Sequence, residues 1–206
     1  MRIYGIAACQ VARHILTVPD YVIEGPVSPE YLKKLYLNKE LDSFRPPEKQ
    51  KLALEEIAGL PGGMVYVVRR SLEVIGYITF HYPDSYSRWS KHKKILELGA
   101  IEVSPSWRNI GVGKNLLNKA FSNPVLEDYI VITVEFCWHW DLERTGLTVY
   151  EYQKMLEKFF GQAGLKKKVT DDPDITDHPA NVLMARIGRN VPQSDVILFE
   201  SMLFCI

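Results

Sequence analysis

Two carboxylates and a basic glycine turn lie within one stretch of this chain, Ile95 to Asn118, which reads ILELGAIEVSPSWRNIGVGKNLLN. Glu97 and Glu102 interrupt a run that is otherwise apolar: Ile95-Leu96, Leu98, Gly99-Ala100-Ile101 and Val103. A run with so little alternation predicts a strand buried on both faces. A carboxyl group held among apolar neighbours has its pKa raised toward neutrality, as a general base requires. Ser104-Pro105-Ser106 ends the strand, and Arg108-Asn109-Ile110-Gly111-Val112-Gly113-Lys114 follows. Val112, Leu116, Leu117, Ala120 and Phe121 then form one apolar helical stripe. The unit is therefore strand, basic glycine loop, helix N-terminus. The first amides of a helix have no intrahelical acceptor, and the helix dipole makes that end partly positive, so the loop suits an anion. Gly111 and Gly113 let a phosphate approach the backbone, and Arg108 and Lys114 add charge.

Spacing separates the known phosphate loops. A Walker A loop needs glycine where Arg108 stands and Ser or Thr where Asn115 stands. The dinucleotide pattern fails because Leu116 holds its last glycine position. What remains, R-x-x-G-x-G after a buried strand, resembles motif A of the GNAT acyltransferases, whose loop holds the pyrophosphate of acetyl-CoA. The resemblance implies an α/β (α+β) fold with a central mixed, mostly antiparallel sheet flanked by helices. It implies acetyl-CoA as cosubstrate, with no metal. The cofactor would be held by the strand backbone at Ile101, Glu102 and Val103 and by the loop Arg108, Asn109, Ile110, Gly111, Val112, Gly113 and Lys114.

Acetyl transfer to a lysine needs a neutral amine, yet a free lysine has a pKa of about 10.4, so a base must take the proton. Glu97 lies eleven residues before Arg108, a spacing similar to that of the base in histone-acetylating GNATs. Glu102 lies beside the backbone expected to grip pantetheine. In a regular strand the two have opposite parity and cannot share a face. A bulge of the kind GNATs carry here would break that parity. Both stand as candidates. One departure concerns the leaving thiolate: many GNATs place a tyrosine four residues before a Gly-Phe pair. Here the pair is Gly164-Leu165 and the matching residue is Phe160. Tyr150, Tyr152 and His139 are the alternative proton donors.

The elements that must position these groups follow from composition and punctuation. The 206 residues, 47% hydrophobic, suffice for a real core and are read as one domain. Net charge is +0, so no global field steers the protein to nucleic acid or to an acidic membrane. No apolar run approaches the roughly 18 residues of a membrane span. Cys9, Cys137 and Cys205 have no metal or redox spacing and suit a reducing cytoplasm. Ile6-Ala7-Ala8-Cys9 looks like a lipoprotein cleavage box, but too few residues precede it for an apolar h-region, so it reads as coincidence.

Along the chain, Tyr21-Val22-Ile23 is a candidate strand. Ser28-Pro29 opens a helix expected over 29–41, with Tyr31, Leu32 and Leu35 inward. A second helix is expected over 47–59, with Leu52, Ile57 and Leu60 inward. Leu60-Pro61-Gly62-Gly63 is a turn, and strands follow over 64–70 and 74–82. Residues 83–94 read as a polar surface loop, or as a docking edge anchored by Trp89. Further strands are expected over 129–136, 165–169 and 182–187, with a helix over 149–161 closed by Gly164.

The likeness goes beyond motif A. Ile23-Glu24-Gly25-Pro26, Phe44-Arg45-Pro46-Pro47-Glu48, Glu97 to Val103, Trp138-His139-Trp140-Asp141-Leu142 and His178 to Gly188 resemble the acetoin-utilisation acetyltransferases of Gram-positive bacteria. That family acetylates an active-site lysine of acetyl-CoA synthetase and switches it off, so the resemblance implies that synthetase as partner. Arg45, Trp138, His139, Trp140 and His178 are the substrate-side candidates. His139, between two tryptophans, reads first as a structural residue, and His178, before Pro179, as the organiser of a turn. Residues 1–20 and 192–206 lie outside the resemblance and are treated as extensions. Two alternatives stay open: a non-catalytic acyl-CoA-binding regulatory module, and a small-amine N-acetyltransferase.

Overall fold

A computed structural model describes residues 20–204. The expectations placed on Ile6 to Cys9 and on Cys205 fall outside them. The strands are β1 (Val22–Glu24), β2 (Tyr36–Leu37), β3 (Met64–Arg70), β4 (Glu73–His81), β5 (Ile95–Val103), β6 (Ile130–Glu135), β7 (Lys166–Lys168) and β8 (Val182–Ile187). The helices are α1 (Pro29–Leu32), α2 (Pro47–Gly59), α3 (Val112–Phe121), α4 (Leu142–Thr145), α5 (Val149–Gly161), α6 (Pro173–Thr176) and α7 (Gln193–Ser201). One sheet runs β1-β3-β4-β5-β6-β8-β7, with β2 added to β4. Only β2–β4 and β5–β6 are parallel, so the sheet is mixed and mostly antiparallel.

Alternation along the strands sorts the core onto two faces. Tyr66, Val68, Ile78 and Phe80 pack with Leu116, Leu117 and Ala120 of α3 and with Leu156 and Phe160 of α5. Val65, Val67 and Tyr77 turn the other way, onto Leu32, Leu35, Leu41 and Leu54. Full burial of one such leucine stabilises by about 1.5–3 kcal/mol. Helix α5 begins with a capping box between Thr148 and Glu151. It ends as expected near Gly164, at φ +86°, where Leu165 N–H reaches Phe160 O and Gly164 N–H reaches Gly161 O.

Four expectations are corrected. The helix expected over 29–41 stops at Leu32, because the sheet takes the backbone that follows. Tyr36 N–H bonds Leu72 O at 3.1 Å and Asn38 N–H bonds Val74 O at 2.8 Å. Helix α2 has its expected bounds but is turned about its axis. It buries Gln50, Ala53 and Leu54, while Leu52 is 64% and Leu60 45% exposed. Trp89 is no docking anchor. It is buried against Phe199 of α7, at 5.8 Å between ring centroids. Arg88 beside it is paired with Asp171 and Asp172. Finally, the extension from 192 holds α7, whose Phe199 and the following Leu203 complete a cluster with Ile95, Ile130 and Ile132.

An ionic clasp closes the far end of β8. Glu127, just before β6, accepts from the Arg189 amide at 3.0 Å and pairs with Arg186 and Arg189. The Arg189 amide and the two guanidiniums bring its carboxyl down to about 2, against desolvation. A carboxylate lowered in the folded state stabilises above its ordinary value of 4.5 and loses that contribution as pH falls through about 2. Denaturant titrations at stepped pH should therefore show an acid loss of stability between these limits. Glu127→Gln should be less stable at neutral pH and lack that share of the slope.

Candidate active site

The site starts from one extra residue. Opposite β4, Thr79 pairs with Ala100 and Phe80 with Leu98, so Gly99 is bulged out of register. Glycine fits there because a Cβ would lie 2.2 Å from His81 Nε2. At the same point β5 leaves β6. Their parallel pairing runs from Ile95–Ile130 to Glu97–Ile132 and stops. Beyond it the strands diverge and a cleft of about 630 Å³ opens through the sheet. Ile101, Glu102 and Val103 form one wall and Val134, Glu135 and Phe136 the other. Met155, Leu156, Phe159 and Phe160 of α5 close the apolar side.

The glycine loop caps one end. Asn109 and Gly111 both adopt left-handed backbone, at φ +64° and +87°. They turn the chain so that α3 begins at Val112 facing the cleft. The first helical hydrogen bond is Asn115 N–H to Gly111 O, at 2.9 Å, and the amides before it have no intrahelical acceptor. Arg108 is more structural than expected. Its Nε donates to Val103 O at 2.9 Å and its Nη1 pairs with Asp141 at 2.6 Å, which ties β5 to the segment after β6.

The bulge cancels the parity difference, and Glu97 and Glu102 both line the cleft. Their surroundings differ. Glu102 accepts from Tyr77 Oη at 2.6 Å and from Ser43 N–H at 2.9 Å. Burial, with this carboxylate beside it, pushes the Tyr77 hydroxyl up. Glu97 has no such satisfaction: desolvation pushes its carboxyl above 4.5, with the charge of His81 opposing and that of Asp84 adding.

The other candidates divide. Arg45, His139 and Trp140 line the cleft together with Asn109, Gly111, Val112, Gly113 and Lys114. Trp140 stacks on Tyr152 at 5.2 Å, and its Nε1 is buried without a partner. Ile110 is at the exposed outer tip of the loop. Trp138 is 56% exposed and stacks on Phe136 outside the cleft. His178 organises a turn, its Nδ1 accepting Ala180 N–H at 3.0 Å. Of the alternative proton donors, Tyr152 and His139 line the cleft and Tyr150 does not. Sequence reasoning missed Glu135, a lone carboxylate at the end of a strand whose other residues are mostly apolar. Burial pushes its carboxyl up to about 7. Also unforeseen was a cavity of about 120 Å³ on the α2 side, lined by Arg45, Gln50, Thr79, His81, Gly99 and Ala100. Gln50 Oε1 and Thr79 Oγ1 are buried there without hydrogen-bond partners.

Splayed central strands, a bulge at the point of divergence and a glycine loop on a helix N-terminus define an acyl-CoA transferase of the GNAT architecture. Residues 31–123 match the Acetyltransferase (GNAT) family. The chain is 48% identical over 185 residues to the acetoin utilization protein AcuA of Bacillus licheniformis, covering 89% of this chain and 88% of that one. It is 46% identical, with the same coverage, to AcuA of Bacillus subtilis. The crystal structure of an acetoin utilization protein from Exiguobacterium sibiricum superposes with a TM-score of 0.86 at 44% identity, over 88% of this chain and 87% of that one. The chain belongs to the AcuA family of GNAT acetyltransferases and is an acetyl-CoA-dependent N-acetyltransferase.

The site fits its cosubstrate. The loop offers unpaired helix amides and a left-handed Gly111, where a Cβ would meet nothing within 4 Å, while Gly113 leaves the passage beside Phe159 clear. No group of His, Cys, Asp or Glu among the described residues could hold a metal ion. No helix among them is long and apolar enough to cross a membrane.

Proposed function

We propose that this protein is a protein-lysine acetyltransferase of the cytoplasm whose acceptor is a lysine of acetyl-CoA synthetase. The observation that carries the transfer reading is that the cleft is lined from both faces of the sheet. Residues of α3 and α5 line one side, and Ser43, Phe44, Arg45 and Glu102 the other. Acetyl-CoA supplies an activated acetyl group from the α3 and α5 side. The amine enters from the α2 side, where Gln50 Oε1 and Thr79 Oγ1 offer acceptors to its N–H groups. Glu97, beside the bulge between the two approaches, takes the amine proton. Glu102, held by Tyr77 and Ser43, fixes the acceptor-side loop to β5.

A folded acceptor is supported by the rim, where Phe44 and Trp138 are exposed large apolar side chains. The synthetase as acceptor is supported by the resemblance of Trp138 to Leu142 and of His178 to Gly188 to the acetoin-utilisation acetyltransferases. Incubation with labelled acetyl-CoA and acetyl-CoA synthetase should place label on one synthetase lysine and lower synthetase activity. The reading fails if polyamines and aminoglycosides are acetylated readily while the synthetase stays unmodified and active.

A further inference from the structure

Glu135 is a titratable group of the cleft to which none of these roles gives a task. It ends β6 where that strand has just lost β5 as a neighbour. Thr133 Oγ1 lies 3.1 Å from the carbonyl oxygen of Leu98 and 2.8 Å from Glu135 Oε1. A threonine hydroxyl has one proton, and a carbonyl oxygen can only accept. Both contacts are full hydrogen bonds at once only if Glu135 is protonated. It then donates to Oγ1 while the hydroxyl donates to Leu98. With an ionised Glu135 the single hydroxyl proton would be split between two acceptors or would leave one of them. The arrangement at the splay point thus favours a neutral carboxylic acid.

The surroundings agree. Desolvation pushes the Glu135 carboxyl up to about 7; a Thr133 hydroxyl turned toward the carboxylate opposes the rise, and the charge of Glu97 adds to it. The groups facing it are Glu97 of β5, His139 and Asp141 of the following segment, Arg108 of the glycine loop and Tyr152 of α5. Its antiparallel neighbour on β8 is the apolar Val182. Across the cleft, Met155, Leu156, Phe159 and Phe160 have no proton to give.

We propose that Glu135 is a catalytic proton donor of this acetyltransferase, delivering its carboxyl proton to the sulfur that leaves the acetyl group. The proton balance closes on two carboxyls. The amine nitrogen bonds to the acetyl carbon as the carbon–sulfur bond breaks. The amine enters this step neutral, its ammonium proton already passed through Glu97 to solvent; the nitrogen then loses one proton to Glu97, and the sulfur gains one from Glu135. Protonated Glu97 then returns its proton to ionised Glu135, which leaves amide, thiol and the starting pair. A cysteine thiol has a pKa of about 8.5 and a plain alkyl thiol lies higher still, above Glu135, so the proton passes downhill to the departing sulfur. The return step rests on Glu97 as base; the donation step does not.

The test compares wild type, Glu135→Gln and Glu135→Asp across pH, with acetyl-CoA and any accepted amine. Glu135→Gln can still donate to Thr133 but has no proton to transfer. Its turnover should fall about 10²-fold with acetyl-CoA affinity unchanged, and the alkaline limb of kcat/KM should vanish. Glu135→Asp keeps an acid, so it should retain a limb, displaced, with intermediate turnover. Infrared titration of the Glu97→Gln protein should show a carboxylic acid band that titrates near neutrality and is absent once Glu135→Gln is added. Full turnover and an unchanged alkaline limb in Glu135→Gln would overturn the proposal. If that variant does not fold, an unchanged profile in Glu135→Asp, or no titrating band in Glu97→Gln, does the same.

Discussion

Glu97→Gln is expected to lower turnover by about 10²–10⁴-fold while acetyl-CoA binding survives, as for the loss of a general base. The amide keeps the shape of the side chain and removes only its basicity. The pH dependence has a definite sign. Glu97 must be ionised to act, and burial holds its carboxyl above 4.5, so wild-type kcat/KM should rise with pH through that raised value. Glu97→Gln should flatten this limb. The same shift acts on stability in the opposite sense. A carboxyl raised in the folded state disfavours folding once pH exceeds its unfolded pKa, and the full cost is reached above the folded one. Glu97→Gln should therefore melt higher than wild type at neutral pH, as expected where function is maintained against stability. Glu102→Gln should behave differently, because its carboxylate is satisfied by Tyr77 and Ser43. It should lose stability and less turnover. Full activity in Glu97→Gln, with an inactive but folded Glu102→Gln, would reverse the assignment.

The second large effect is expected at the loop. Gly113→Trp should abolish measurable acetyl-CoA binding in calorimetry while leaving the far-UV spectrum native. A Cβ at Gly113 meets Phe159 at 3.6 Å and Val103 at 3.7 Å, which is ordinary contact. Alanine should therefore be tolerated. An indole beyond that Cβ has only the passage between α3 and α5 to occupy. Gly111 differs: no neighbour crowds it, but its φ of +87° is left-handed. A β-branched residue there would cost about 1–2 kcal/mol in backbone strain and turn the helix amides out of line. Unchanged acetyl-CoA affinity in Gly113→Trp would remove the loop from the binding site.

Much of this arrangement was legible in the residues. β5, α3, α5 and the β3–β4 pair followed from apolar periodicity bounded by proline and glycine. The two-faced burial of the first part of β5, at Ile95, Leu96 and Leu98, follows from its mostly apolar run, and a bulge is what reconciles Glu97 with Glu102. The residue that bulges, Gly99, shows only in the pairing with β4. What stayed hidden depended on partners distant in sequence. Tyr36 leaves a helical pattern because Leu72 and Val74 offer it a strand. Helix α2 buries Gln50 and Ala53, which carry no hydrophobic signal. Trp89 has the look of a surface aromatic because Phe199 lies far along the chain. Arg108 reads as a phosphate ligand because nothing near it announces Asp141. Glu135 carries no local signal because its significance comes from a hydroxyl and a carbonyl on two strands.

The bulge at Gly99 has a consequence for what mutation can do to this protein. The crossing of the two approaches is stored in chain length, as one surplus residue on β5, and no side chain encodes it. Removing that residue would keep Leu98 opposite Phe80 and Ala100 opposite Thr79, with every face unchanged. Inserting one residue into β4 opposite Gly99 would instead give the bulge a partner, and every side chain from Ala100 to Val103 would exchange faces relative to Glu97, so that Glu97 and Glu102 no longer shared one. Substitutions along the strand alter the chemistry by degrees. A one-residue insertion opposite the bulge would instead exchange the two faces of β5 beyond it, so the register of β5 against β4 is as much a determinant of activity as its carboxylates.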